Sequence, residues 1–289
     1  EGNIAVVGTY GARNSKYVQG LYYVLVRPEG QENMVRYNDL SEFENFFSYT
    51  ASDRREERLK EKAEQLSDRG KELKVGVRLY IHDVMPLENS FLLVADVYDV
   101  KYDNSGMTRY LTRPSYSMND IRALPRGRYY YNDYPSQSTM DYTTISYEYL
   151  AAIAIDLDAK GNVLWDNSLI VEEKERFILD DLVDAYPGPD SLYLAYKKEE
   201  DIIYKGIPYS RMDVGANIAP ITMKNPTDDL RSTTESTTGE MRHWYGNNFY
   251  VWGYQKINDK SIRGSAGKRD VIYVNKVRFP KPRSMNYLE

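Results

Sequence analysis

No cysteine occurs among the 289 residues, which removes disulfides, thiolate metal sites and cysteine nucleophiles together. Histidine is nearly absent, with only His82 and His243, far apart in sequence and neither in a H-E-x-x-H helix; both read as structural or exposed imidazoles. No run approaches the roughly eighteen apolar residues that span a bilayer, so no transmembrane helix is expected. A basic excess is also missing: 38 Lys and Arg stand against 43 Asp and Glu, a net charge of −5, which argues against nucleic acid as a partner. No G-x-S-x-G nucleophile elbow is present. Gly264-Ser265-Ala266-Gly267-Lys268 imitates the end of a phosphate loop, but Ile262 stands where the first glycine belongs and Arg269 follows the lysine. A hairpin tip is the expectation there.

What is abundant is tyrosine, 28 residues against 7 phenylalanines and 3 tryptophans. A tyrosine pairs an apolar ring with a hydroxyl that stays wet, which suits exposed strands and recognition surfaces. The chain opens on Glu1, with neither a basic n-region nor an apolar h-region, which suggests a processed or excised chain that lacks partner strands at its N-terminal end.

Alternating apolar runs predict β-rich units of four strands each. The clearest unit has Arg78 to Val84, Phe91 to Tyr98, Ala151 to Asp156 and Val163 to Asp166. A second runs from about Leu179 through Ser191 to Tyr196 and Asp201 to Lys205, ending at Ile218 to Ile221. The N-terminal unit (Ile4 to Tyr10, Gly20 to Val26, Met34 to Tyr37) has no first strand. The C-terminal unit (Met241 to Tyr245, Asn248 to Tyr254, Val271 to Val277) has no evident fourth. The expected fold is all-β, a single domain over 1–289 of about three and a half to four propeller-like blades. It is read as part of a larger propeller rather than a small complete one, and a β-sandwich with irregular insertions stays open.

Two insertions interrupt the units. Residues 50–73 predict a charged helix from Asp53, capped by Thr50 or Ser52, with Leu59, Ala63 and Leu66 on one docked face and Glu56 facing Lys60. Residues 103–142 predict a long Tyr- and Arg-rich loop. Its candidate binding residues are Tyr110, Arg113, Tyr116, Arg126, Arg128, Tyr129, Tyr130, Tyr131 and Tyr134, because tyrosine and arginine dominate interface hot spots. Either the rings cover the rim of their own domain or they contact another protein or a glycan.

Acidic groups are frequent: Glu172-Glu173, Asp180-Asp181 with Asp184, Glu199-Glu200-Asp201 and Asp228-Asp229. Neighbours on a strand point to opposite faces, so a doublet does not make the opposed pair a glycosidase needs; most are expected in solvent. Asp156-Leu157-Asp158-Ala159-Lys160-Gly161 resembles the start of a calcium loop, but Lys160 fills position five and Asn167 position twelve. A strand-connecting turn without metal is expected, and neither a metal nor a cofactor is expected elsewhere.

Taken together, Arg78-Leu79-Tyr80-Ile81-His82-Asp83, Leu92 to Tyr98, Asp158 to Ser168, Trp244-Tyr245-Gly246-Asn247-Asn248-Phe249 and Val271 to Lys276 resemble an uncharacterised family of exported proteins from Bacteroidota. The likeness covers roughly Asn3 to Phe279. It implies a β-propeller-like cell-envelope protein with an upstream portion, located in the periplasm or at the cell surface and associated with the outer membrane. It carries over no catalytic residues. Pro280 to Glu289 does not read as a secretion-sorting domain. The expected function is a non-catalytic envelope binding or scaffold protein, an accessory of an outer-membrane transport or secretion complex, with other envelope proteins or the upstream half of its own precursor as partners. The alternative is a glycan-binding module or carbohydrate-active enzyme.

Overall fold

Runs of alternating side chains become hairpins here because each short turn returns the chain antiparallel beside itself. The computed structural model describes residues 4–13, 15–28, 34–50, 52–71, 73, 75–82, 84–102, 144–209, 215–221, 228–234, 241–262 and 267–280. Two compact units divide the chain: Glu1–Asp99 with Tyr147–Glu289, and Val100–Ser146. The larger unit holds four antiparallel sheets that follow one another in sequence.

The first sheet is a meander of β1 (Ile4–Tyr10), β2 (Gly20–Val26) and β3 (Met34–Asp39). The second contains β4 (Arg78–Ile81), β5 (Met85–Pro86), β6 (Ser90–Tyr102), β7 (Thr144–Asp158) and β8 (Val163–Arg176), with β4 and β5 end to end along one edge of β6. The third is β9 (Asp184–Pro187), β10 (Ser191–Lys198), β11 (Asp201–Pro208) and β12 (Asn217–Pro220), in sequential order across the sheet. In the fourth, β13 (Asp228–Thr234) and β14 (Met241–Tyr245) share one side of β15 (Asn248–Asp259), and β16 (Lys268–Arg278) lines the other. The three-stranded first sheet agrees with the missing strand of the N-terminal unit. β13 was not foreseen: Asp228-Asp229-Leu230-Arg231-Ser232-Thr233-Thr234 shows no apolar alternation, and its pairing with β15 shifts register between Leu230 and Ser232.

Three core clusters join the sheets face to face. Leu21 and Tyr23 of the first sheet pack with Leu93, Ala95, Val97, Ile153 and Ile155 of the second. Leu92, Val94, Ala152 and Ala154, on the second sheet's other face, pack with Leu192, Leu194 and Tyr196 of the third. Tyr193 and Ala195 of the third then pack with Phe249, Val251 and Phe279. The middle sheets are thus buried on both faces, so β6 and β10 carry near-continuous buried runs and not the alternation expected of them.

Between the first two sheets, short 3-10 turns at Leu40–Glu42 and Phe46–Thr50 lead to α1 (Asp53–Ser67). Asp39 starts the first turn with a capping box: its carboxylate accepts from the Ser41 amide at 2.9 Å, and Glu42 accepts from the Asp39 amide at 3.1 Å. α1 buries Ala63 with Leu59 and Leu66 beside it, and Lys60 pairs with Glu56 at 2.9 Å. It ends earlier than Leu73, because Gly70 takes a left-handed φ of 63°. The Lys71 amide then reaches back to the Leu66 carbonyl at 2.8 Å, and the Gly70 amide to Ser67, a Schellman closure. Ser52 occupies the N-cap, but its side chain makes no capping bond.

Candidate functional site

A polar seam crosses the stack where the second, third and fourth sheets meet. His82 follows β4, and its Nε2 donates to Asp96 Oδ2 of β6 at 2.9 Å. The same oxygen accepts from the Leu182 amide at 2.8 Å, just before β9. Asp96 is fully buried, and its Oδ1 has no hydrogen-bond partner among the described residues. Asp181 Oδ1 lies 3.8 Å from His82 Nε2. Burial opposes charge on His82, but Asp96, with smaller help from Asp181 and Asp184, outweighs it and holds the imidazole above its ordinary value.

The seam continues into the fourth sheet. Asp184 Oδ2 accepts from the His243 amide and Oδ1 from the Ala185 amide; burial raises the Asp184 carboxyl against the pull of that His243 bond and Arg242. The His243 ring stacks on Tyr186 at 4.3 Å, and its Nε2 donates to the Gly246 carbonyl at 2.8 Å. Arg242 donates to the Asp181 carbonyl. On the other flank, Arg176 Nη1 reaches both oxygens of Asp180 at 3.0 and 3.2 Å. The Tyr149 hydroxyl donates to the Asp180 carbonyl and accepts from its amide, and burial first of all raises that phenol. Sequence reasoning expected most of the acids in solvent and read both histidines as structural or exposed imidazoles, without linking them to Asp180 or Asp184. Only the packing of three sheets brings them together, and no local spacing signals it.

A second set of contacts ties the connection after the first sheet to the second sheet. Asp166 of β8 accepts from the Glu44 and Asn45 amides, at 2.8 and 2.6 Å. Burial raises its carboxyl against those bonds. A cavity of about 370 Å³ opens beside it, lined among others by Glu42, Glu44, Asn45, Trp165 and Asn167. Trp165 leans on Tyr209, 6.3 Å between ring centres, and burial followed by the charge of Asp156 pushes the Tyr209 phenol up to about 12.

The Asp158–Asn162 turn forms as expected. Asp158 Oδ1 accepts from the Lys160 and Asn162 amides and Oδ2 from the Asn162 side chain, so both oxygens are engaged within the loop. Among the described residues no three His, Cys, Asp or Glu side chains gather as metal ligands. The Tyr- and Arg-rich candidates Tyr110, Arg113, Tyr116, Arg126, Arg128, Tyr129, Tyr130, Tyr131 and Tyr134 lie outside the described residues, as do 263–266 of the hairpin tip.

The two outermost faces of the stack remain. On the first sheet, Ile4 pairs with Val26, Val6 with Val24, Gly8 with Tyr22 and Tyr10 with Gly20, and β3 adds Val35 and Tyr37. These residues share the face turned away from the core, and its one charged member by register is Asp39, opposite Gly20 at the end of β3, whose carboxylate turns back to the Ser41 amide. On the fourth sheet the outward row is Tyr250, Trp252, Tyr254, Val274 and Ile272, bounded by the charged Arg242, Lys256, Asp270 and Lys276. No protein-family model, curated protein or solved structure matches this chain. The chemistry of the faces therefore has to speak for itself. Soluble sheets normally place polar side chains on a solvent face, and contiguous apolar patches mark interaction sites. Among the described residues no helix is long and apolar enough to cross a membrane.

Proposed function

We propose that this chain is a non-catalytic binding scaffold whose sheets are propeller-like blades. As in the resemblance noted above, it is exported, sits in the cell envelope in association with the outer membrane, and serves a transport or secretion complex as an accessory. The observation that carries the binding role is the pair of apolar outer faces on the first and fourth sheets. The seam points the same way: Asp96, Asp166 and Asp184 hold backbone amides of neighbouring segments, a structural use of groups that chemistry would need free. The Tyr- and Arg-rich segment 103–142 supplies the specific contacts. The test is purification of the tagged full chain from its native membranes in mild detergent. A stoichiometric partner is expected, and its recovery should drop at least about tenfold when Tyr129, Tyr130 and Tyr131 are replaced together by serine. Undiminished recovery removes the segment from the binding role, and absence of any stoichiometric partner overturns the scaffold.

A glycan-binding role has one observation in its favour, the Trp165 cavity with its acids and amides. It has less support, since both Asp166 oxygens already hold backbone amides. Calorimetric titration with neutral oligosaccharides decides it, with Trp165→Ala as the control.

A further inference from the structure

Among the described residues, each apolar sheet face is covered by a neighbouring sheet except the outer faces of the first and fourth. The exposed side chains there are large: Ile4 is 61% exposed, Val35 52% and Tyr37 62% on the first sheet, with Ile272 at 68% and Val274 at 67% on the fourth. The glycines of the first sheet lie under rings. A Cβ at Gly8 would collide with the Tyr22 ring, and one at Gly20 with the Tyr10 ring and the Asn38 carbonyl. Tyr10 and Tyr22 therefore lie down over the strands instead of standing off them, which leaves a low apolar plate suited to another sheet. On the fourth sheet Tyr250 and Trp252 stack at 5.3 Å along the outward row.

We infer that the occupant of both faces is a second copy of this chain, the first sheet of each copy seated on the fourth sheet of the other, so that two chains close one ring of eight sheets. This rests on the scaffold reading and names the occupant of its two outer faces, leaving the contacts with other envelope proteins to segment 103–142. Two quantities decide between arrangements. Three strands about 4.8 Å apart and seven residues long at about 3.3 Å each give a footprint of ~330 Å² per face. A single face-to-face contact would then bury only ~650 Å², in the range of adventitious contacts, whereas two contacts in a closed pair bury ~1,300 Å², enough for a stable complex. The two faces differ, so the contact is heterologous, and a heterologous contact satisfies every copy only when it closes.

The experiment measures the mass of the purified full chain by light scattering across about 1–100 μM, the range that reveals a micromolar or tighter pair. The expected result is a plateau at twice the 33.6 kDa of one chain. Val6→Asp and Val274→Asp each place a charge on one outer face and should each give monomers; circular dichroism confirms that they are folded. If Val6→Asp unfolds, Val35→Asp on the adjacent strand replaces it. Mixing the two variants restores only one of the two contacts, so the mixture should associate more weakly than the wild type, and only toward the top of the concentration range. If either variant alone stays fully dimeric, the contact is of a face with itself and the ring is overturned. Mass that grows without a plateau overturns closure. A monomeric wild type at every concentration overturns the second copy as occupant, and leaves the scaffold reading to be judged by recovery of a different partner from native membranes.

Discussion

Alanine at Gly161 would meet two separate penalties. The residue sits at φ 76° in the turn between β7 and β8, where an L side chain costs about 1–2 kcal/mol. Its Cβ would also fall 2.5–2.7 Å from the ring of Tyr23, in the first sheet, whose hydroxyl donates to the Ala159 carbonyl. Gly161→Ala should therefore cost ~3 kcal/mol or more by chemical denaturation, about twice an ordinary core change. Asp96 is the other decisive residue. Asp96→Ala leaves His82 buried without its acceptor and the Leu182 amide unpaired, and a loss of ~3–5 kcal/mol is expected from the same measurement. The seam also sets a pH dependence. The raised His82 favours the folded state fully below its unfolded value near 6.5 and loses that contribution as pH rises through the folded value. Asp166, Asp180 and Asp184 are raised too, so their folded forms are favoured at acid pH and the contribution fades as pH climbs through their raised values. All four act in one direction: the melting temperature should fall as pH rises from about 4, where the three carboxyls begin to ionise in the unfolded chain, and fall further above about 6.5, where His82 loses its contribution; His82→Gln should flatten that upper part.

At the scale of elements, α1 offers a clean comparison between its two sides. Ala63 is buried against the first core cluster while Glu57 is exposed. Ala63→Glu should lower stability by more than ~2 kcal/mol, and Glu57→Ala should change it by less than ~0.5 kcal/mol, read from denaturation midpoints. That helix was legible in the sequence because its stripe of Leu59, Ala63 and Leu66 and its Glu56–Lys60 pair are local features. The central strands were legible for the same reason, through apolar content alone. What local pattern could not show was which face of a strand meets which sheet. Leu92 and Leu93 look alike in sequence, yet they pack into different clusters. β13 was silent because its side chains are polar and its place is set by pairing with β15. The seam was silent because His82, Asp96, Asp184 and His243 converge across three sheets, and the Tyr-over-Gly packing of β1 and β2 shows only when their register is known.

For the whole unit, the order of sheets in space repeats their order in the chain, and each core cluster joins only neighbours. Stability then builds by nearest-neighbour steps, much as in repeat proteins. In the unpaired chain, as in the Val274→Asp variant, amide exchange should be slowest in the doubly covered β6, β7 and β10 and fastest in β1, at the outer edge of a sheet covered on one side. A uniform exchange rate across all four sheets would contradict this. Such an arrangement also has a direction in time. Synthesis at about 5–20 residues per second finishes the second sheet at Arg176 several seconds before Pro220 completes the third. During that interval Leu92, Val94, Ala152 and Ala154 have no cover, and the nascent chain carries a sticky plate that moves one sheet onward with each hairpin made. For the exported chain proposed above, emergence N-terminus first from a translocation channel imposes the same order, and a chaperone beyond that channel that shields such a plate until the next sheet arrives is what this order of assembly asks of the cell.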